Sequence, residues 1–158
     1  MENKNMVEIS KIGECLLAEV AEMEGYQNEV RGKMEEANEK VQAIVESIEA
    51  NEEKAKGIKA KDQQIVDLAN EFEEEDLKEK ILAKREVYLE EIKGLQEEIK
   101  GFEAEIEEIE GEFESLNSMI INAEYGKNIL LAFGVKYGFL IKKADQETET
   151  ETETETEK

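Results

Sequence analysis

The sequence predicts an all-α protein, a long antiparallel helical hairpin with a disordered acidic C-terminal tail, on three observations. Two long stretches each repeat apolar residues on an unbroken heptad, the signature of helices that need a partner. The two heptads are out of frame with each other, so the helix is interrupted between them, by a reversal or, as the alternative, by a stutter in one continuous helix. There is no Pro and no Trp, and 39% of residues are charged, a composition that favours long helices over a mixed fold.

The first arm is predicted over about residues 5–72. Its a positions are Val20, Gln27, Met34, Val41, Ile48, Ala55, Asp62 and Ala69, and its d positions are Leu16, Met23, Val30, Ala37, Ile44, Asn51, Ile58, Ile65 and Phe72. Gln27, Asn51 and Asp62 are polar insertions, a type that sets register at some cost in stability. A turn is expected near 73–76, where Asp76 and Glu79 have the spacing of an N-cap residue and its capping-box partner.

The second arm is predicted over about residues 77–143. With Tyr88 at d, the a positions are Ile92, Ile99, Ile106, Phe113 and Ile120, and the d positions are Leu95, Phe102, Ile109, Leu116 and Ala123. Leu130, Gly134, Tyr137 and Ile141 continue the frame. Folding the chain back near residue 75 sets Ala37 opposite Phe113 and Ala55 opposite Leu95, small against large. It also brings Asp62 near Arg85 and Ile141 opposite Ile9, but leaves Gln27 and Asn51 facing Ala123 and Ile99 without polar partners. Lys33, Lys40, Lys54 and Lys61 flank the first seam where Glu91, Glu98, Glu105 and Glu112 flank the second, which selects the chain's own first arm as the mate of its second. At ~1.5 Å per residue each arm would run roughly 100 Å. Residues 144–158 include a Glu-Thr alternation that cannot bury apolar surface and is expected to be disordered.

Charge and composition narrow the function. A net charge of −22 opposes direct contact with nucleic acid, and the absence of His removes His-based catalysis and His metal sites. Cys15 stands alone, which leaves no internal disulfide and no cysteine cluster for a metal. We therefore expect no enzyme activity, cofactor or metal. The N-terminus lacks a secretory pattern, so an intracellular location is expected, with a virion component as a variant of it.

The apolar pattern exceeds the needs of two helices at one end, 9–17 with 129–141, where Ile12, Leu17, Leu131, Phe133, Val135, Phe139 and Leu140 lie outside the a and d positions. Surplus apolar surface points to a protein partner or to self-association, and with Lys136, Lys142 and Lys143 nearby, peripheral membrane contact is the lesser expectation. A long hairpin with apolar ends resembles the subunits of prefoldin-type chaperones, but those insert β-hairpins between their helices, and residues 73–76 leave no room for them. In size and composition the chain resembles small acidic scaffolding and accessory proteins of viruses. The function expected is thus a non-enzymatic assembly, structural or adaptor protein, with a viral or bacterial scaffolding or accessory component as one form of it. The alternative is an acidic decoy that mimics nucleic acid and occupies a basic surface through the glutamates of residues 103–114.

Overall fold

The computed structural model describes residues 6–8 and 10–142. In chain order these form β1 (Met6–Glu8), α1 (Lys11–Asn70), α2 (Glu75–Leu82), α3 (Arg85–Lys136) and β2 (Leu140–Lys142). The fold is an all-α helical hairpin, to which β1 and β2 add a two-stranded antiparallel ribbon. Its described residues fall into two compact units, a turn unit of 36–113 and a terminal unit drawn from those up to 35 and those from 114 onward.

In the turn unit the predicted heptads reappear as burial. Ala37, Ala55, Ala69 and Ile92 are buried, and Leu95, Ile99, Phe102, Ile106, Ile109 and Phe113 are half-buried, each at its a or d place. Arg85 makes a two-point contact with Asp62, Nε to Oδ1 at 2.7 Å and a terminal guanidinium nitrogen to Oδ2 at 2.9 Å. The bonds from Arg85 hold the Asp62 carboxyl below the usual carboxylate range. Asn51 also finds a partner: its Nδ2 donates to Glu98 Oε2 at 2.8 Å, so the acceptor comes from the flank of the seam and not from the facing Ile99.

Three expectations are corrected in this unit. The capping pair of Asp76 and Glu79 does not form, because Glu74 holds the N-cap position without a side-chain bond. Asp76 lies with Glu75 in the first turn of α2, where carboxylates favour the positive end of the helix dipole. The second arm is not one helix: it breaks after α2, where Lys84 N–H donates to Ile81 O at 3.2 Å in a tightened i to i−3 turn. Phe72 is exposed and lies past the end of α1. The expected complementarity of the flanks is one of sign only: no ion pair among the described residues joins Lys40, Lys54 or Lys61 to Glu91, Glu98, Glu105 or Glu112. Exposed pairs gain little in water against the entropy of fixing two long side chains, so the flanks complement in sign without closing.

In the terminal unit both arms stop short of their predicted ends at 5 and 143. Ser10 caps α1, with Gly13 N–H donating to its Oγ at 3.1 Å. α3 stops at Lys136 because Gly138 takes the left-handed conformation, φ 75°. Phe139 N–H then donates to Gly134 O at 2.8 Å and Gly138 N–H to Val135 O at 3.3 Å, the paired bonds of a Schellman ending. The chain leaves the helix as β2 and pairs Val7 with Ile141 and Glu8 with Leu140. The expected Ile9 to Ile141 layer and the 144–158 tail lie outside the described residues.

Candidate docking surface

The terminal unit contains the surface that sequence analysis singles out, and its core explains which of those residues remain available. Val20, Leu131 and Leu140 form a buried cluster, with Leu16, Leu17 and Leu130 packed against it. The reversal at Gly138 makes this possible by returning Leu140 over Gly134. A β-carbon at Gly134 would come within 2.8 Å of Leu140 Cγ and 3.1 Å of Leu16 Cδ1, and one at Gly13 would strike the Phe139 carbonyl. Both glycines are therefore required by close approach.

The predicted surplus accordingly divides. Leu131 and Leu140, 5% and 1% exposed, are core residues, and Leu17 is half-buried against them. The expectation that these three face solvent assumed straight helices with nothing folded across them. Phe139 is half-buried beside Phe133, ring centroids 6.1 Å apart, the apolar contact that accompanies a Schellman ending. Phe133 also meets Tyr137 at 4.7 Å. Ile12, Phe133 and Val135 are exposed as expected.

Beside the core cluster runs a polar layer that the heptad leaves unexplained. Gln27, 1% exposed, donates from Nε2 to Ile120 O at 3.1 Å and to Glu124 Oε2 at 2.9 Å. Buried Lys127 occupies an a position, its Nζ 2.9 Å from Glu124 Oε2 and 3.7 Å from Glu24 Oε1. The Gln27 bond first, and the Lys127 bond second, hold the Glu124 carboxyl below the usual range. Among the described residues no buried side-chain nitrogen or oxygen lacks a partner. Burial of polar groups is tolerated here because each is satisfied.

Sequence reasoning missed the larger exposed feature. Ile121, Tyr125 and Ile129 are 58%, 69% and 51% exposed, and with Phe133 they repeat every fourth residue along α3. Such a row forms one ridge on a helix surface. The charged residues at the outward b, c and f positions of α3 up to 114 are Glu86, Glu90, Lys93, Glu97, Lys100, Glu107, Glu108 and Glu114, but from 115 to 135 these positions carry Ser115, Ser118, Ile121, Asn122, Tyr125, Asn128, Ile129, Ala132 and Val135, with no charge. The signal was present in the sequence: charge stops at the outward positions, not only at the seam. Lys136 closes the row, its Nζ 5.7 Å over the Tyr137 ring.

Other features offer less chemistry. Among the described residues no group of His, Cys, Asp and Glu is placed to hold a metal ion, and no helix is long and apolar enough to cross a membrane. Cys15 is exposed. In the turn unit an open groove of about 510 Å³ is lined by Ile58 and Leu95 between Lys54, Lys61, Glu91 and Glu98. The glutamates at 103, 105, 107, 108, 110, 112 and 114 are all exposed. No family model matches the chain, and comparison with curated proteins and with solved structures gives no significant match.

Proposed function

We propose that the chain is a non-enzymatic assembly or adaptor protein that acts through protein–protein contact on the terminal unit. The observation that carries this reading is the outward face of α3, where Ile121, Tyr125, Ile129 and Val135 stand exposed with no acidic residue among them, on a chain of net charge −22. A solvated helix ordinarily places charge on that face, and an apolar ridge there is stabilised when a partner covers it. Ile12 and the Phe133–Tyr137 ring pair add apolar surface to the same unit.

Replacing Tyr125, Ile129 and Phe133 together with Ser tests the reading. Proteins retained from an extract of the source by the tagged chain, untagged copies of the chain included, should be lost with this variant while its helix content stays unchanged. Retention by the parent chain should persist from ionic strengths of about 0.1 M to about 1 M, over which the screening length falls from ~10 Å to ~3 Å. Retention unaffected by the three substitutions but abolished by salt would favour the acidic decoy instead, with contact through the exposed glutamates of residues 103–114.

A further inference from the structure

Resting on that reading, we infer that the occupant of the outward face of α3 is a second copy of this chain, packed antiparallel about a two-fold axis near Ile129. Charge is the first reason. Two copies of a chain of net charge −22 repel wherever carboxylate meets carboxylate, and the outward positions up to Glu114, where glutamates outnumber Lys93 and Lys100, favour such meetings. From 115 to 135 the same positions are uncharged, so here a copy can approach its like without that repulsion.

Geometry is the second reason. Ile121, Tyr125, Ile129 and Phe133 lie on one row of every fourth residue, and such rows interdigitate with their own kind when two helices cross. A two-fold axis at Ile129 sets each Tyr125 against the other copy's Phe133, an aromatic pair, and Ile129 against itself. Ala132, exposed between the ridge residues, leaves room for the facing ridge. Lys136 falls beside Asn122 of the other copy and meets no second cation.

Area is the third. The exposed parts of Ile121, Tyr125, Ile129, Phe133 and Val135 amount to on the order of 500 Å² per copy, taking ~150–250 Å² for a fully exposed large side chain. With Ser118, Asn122, Asn128 and Ala132 as the rim, the face approaches the roughly 800 Å² per partner of a stable interface. An anionic membrane surface fits less well, because such surfaces select helices with several basic flanks. Here Lys127 is buried against two glutamates, and among the outward positions of α3 from 115 to 136 Lys136 is the one basic residue.

Sedimentation of the full chain from about 1 μM to about 1 mM tests the inference, a range that spans weak to moderate dimer affinities. The parent chain should pass from monomer to dimer, and Ile129→Lys should raise the midpoint at least ~100-fold, as for a central interface residue, with helix content unchanged. In a Cys15→Ser background, Ile129→Cys chains should form disulfide-linked dimers. A mixture of Asn122→Cys and Lys136→Cys chains should cross-link to each other more than either does to itself. The cysteine pairs read the face even where the lysine variant unfolds. A monomer throughout the range, a dimer indifferent to Ile129→Lys, or cysteines that link only to their own kind would each overturn the second copy as occupant. If the chain is monomeric yet retains another protein through Tyr125, Ile129 and Phe133, or binds anionic vesicles instead, the second copy is overturned. In the first of those cases the assembly reading stands.

Discussion

Leu131 and Ile129 sit two residues apart in α3 and differ by what the chain folds over them. Leu131 is 5% exposed beneath Leu140, so Leu131→Ala removes buried methyl groups and should destabilise by about 2–5 kcal/mol in urea unfolding. Ile129→Ala, on the solvent side, should stay within about 0.5 kcal/mol at concentrations below any self-association. Equal costs would mean that the core cluster is misassigned. Glu124 supplies a second prediction at this scale. Its folded-state pKa is lowered by Gln27 and Lys127, so its contribution to stability is complete above the unfolded carboxylate value of about 4.3 and is lost as pH falls through the lower folded value. Asp62, lowered by Arg85, acts in the same direction. Thermal unfolding of the parent chain and of Gln27→Leu followed from pH 7 downward should show the parent's advantage shrinking in that acid window. A difference between the two chains that does not change with pH would contradict the assignment of Glu124. The Asp62–Arg85 pair was legible from the a positions, but the partners of Gln27 and Asn51 were not, because Glu124 and Glu98 reach in from the flanks, where a heptad reading assigns solvent.

At the scale of the elements, the seam was legible and the ends were not. A heptad records which face of a helix is buried, and the burial at Ala37, Ala55, Ile92 and Phe113 follows it. It carries no information on where the helix stops, since that is decided by local backbone chemistry. Gly138 ends α3 through its left-handed φ of 75°, and the ribbon of β1 with β2 follows from that reversal. Two substitutions separate backbone from packing. Gly138→Ala meets nothing within 4 Å, so its effect is conformational, about 1–2 kcal/mol. Gly134→Ala keeps an ordinary backbone but drives a methyl group into Leu140 and Leu16, and Leu140→Ala should relieve part of its cost. A strictly additive double variant, measured by denaturant unfolding, would contradict the contact. The capping spacing at Asp76 and Glu79 failed for the same reason that Gly138 was missed: short polar motifs are compatible with several backbone paths, and packing selects among them.

For the whole molecule the dominant fact is a net charge of −22, against which an uncharged, apolar helix face stands out. The sequence made the surplus of apolar residues visible, and Ile12, Phe133 and Val135 are exposed, but part of it was assigned to residues that the terminal core takes up. Leu17, Leu131 and Leu140 are consumed by the terminal core, while Ile121, Tyr125 and Ile129, further back along α3, are the ones left facing water. Which apolar residues a chain leaves over depends on what its last turn covers, and that is a tertiary fact. The central claim is that contact is made through this face and not through the exposed acidic run. It is tested most directly by placing a photoreactive amino acid at Ile129 in one form of the full chain and at Glu107 in another, and irradiating each in an extract of the source. Discrete protein adducts from Ile129, unchanged by added salt, with none from Glu107, is the result expected. Adducts from Glu107 that vanish with salt, and none from Ile129, would contradict the claim.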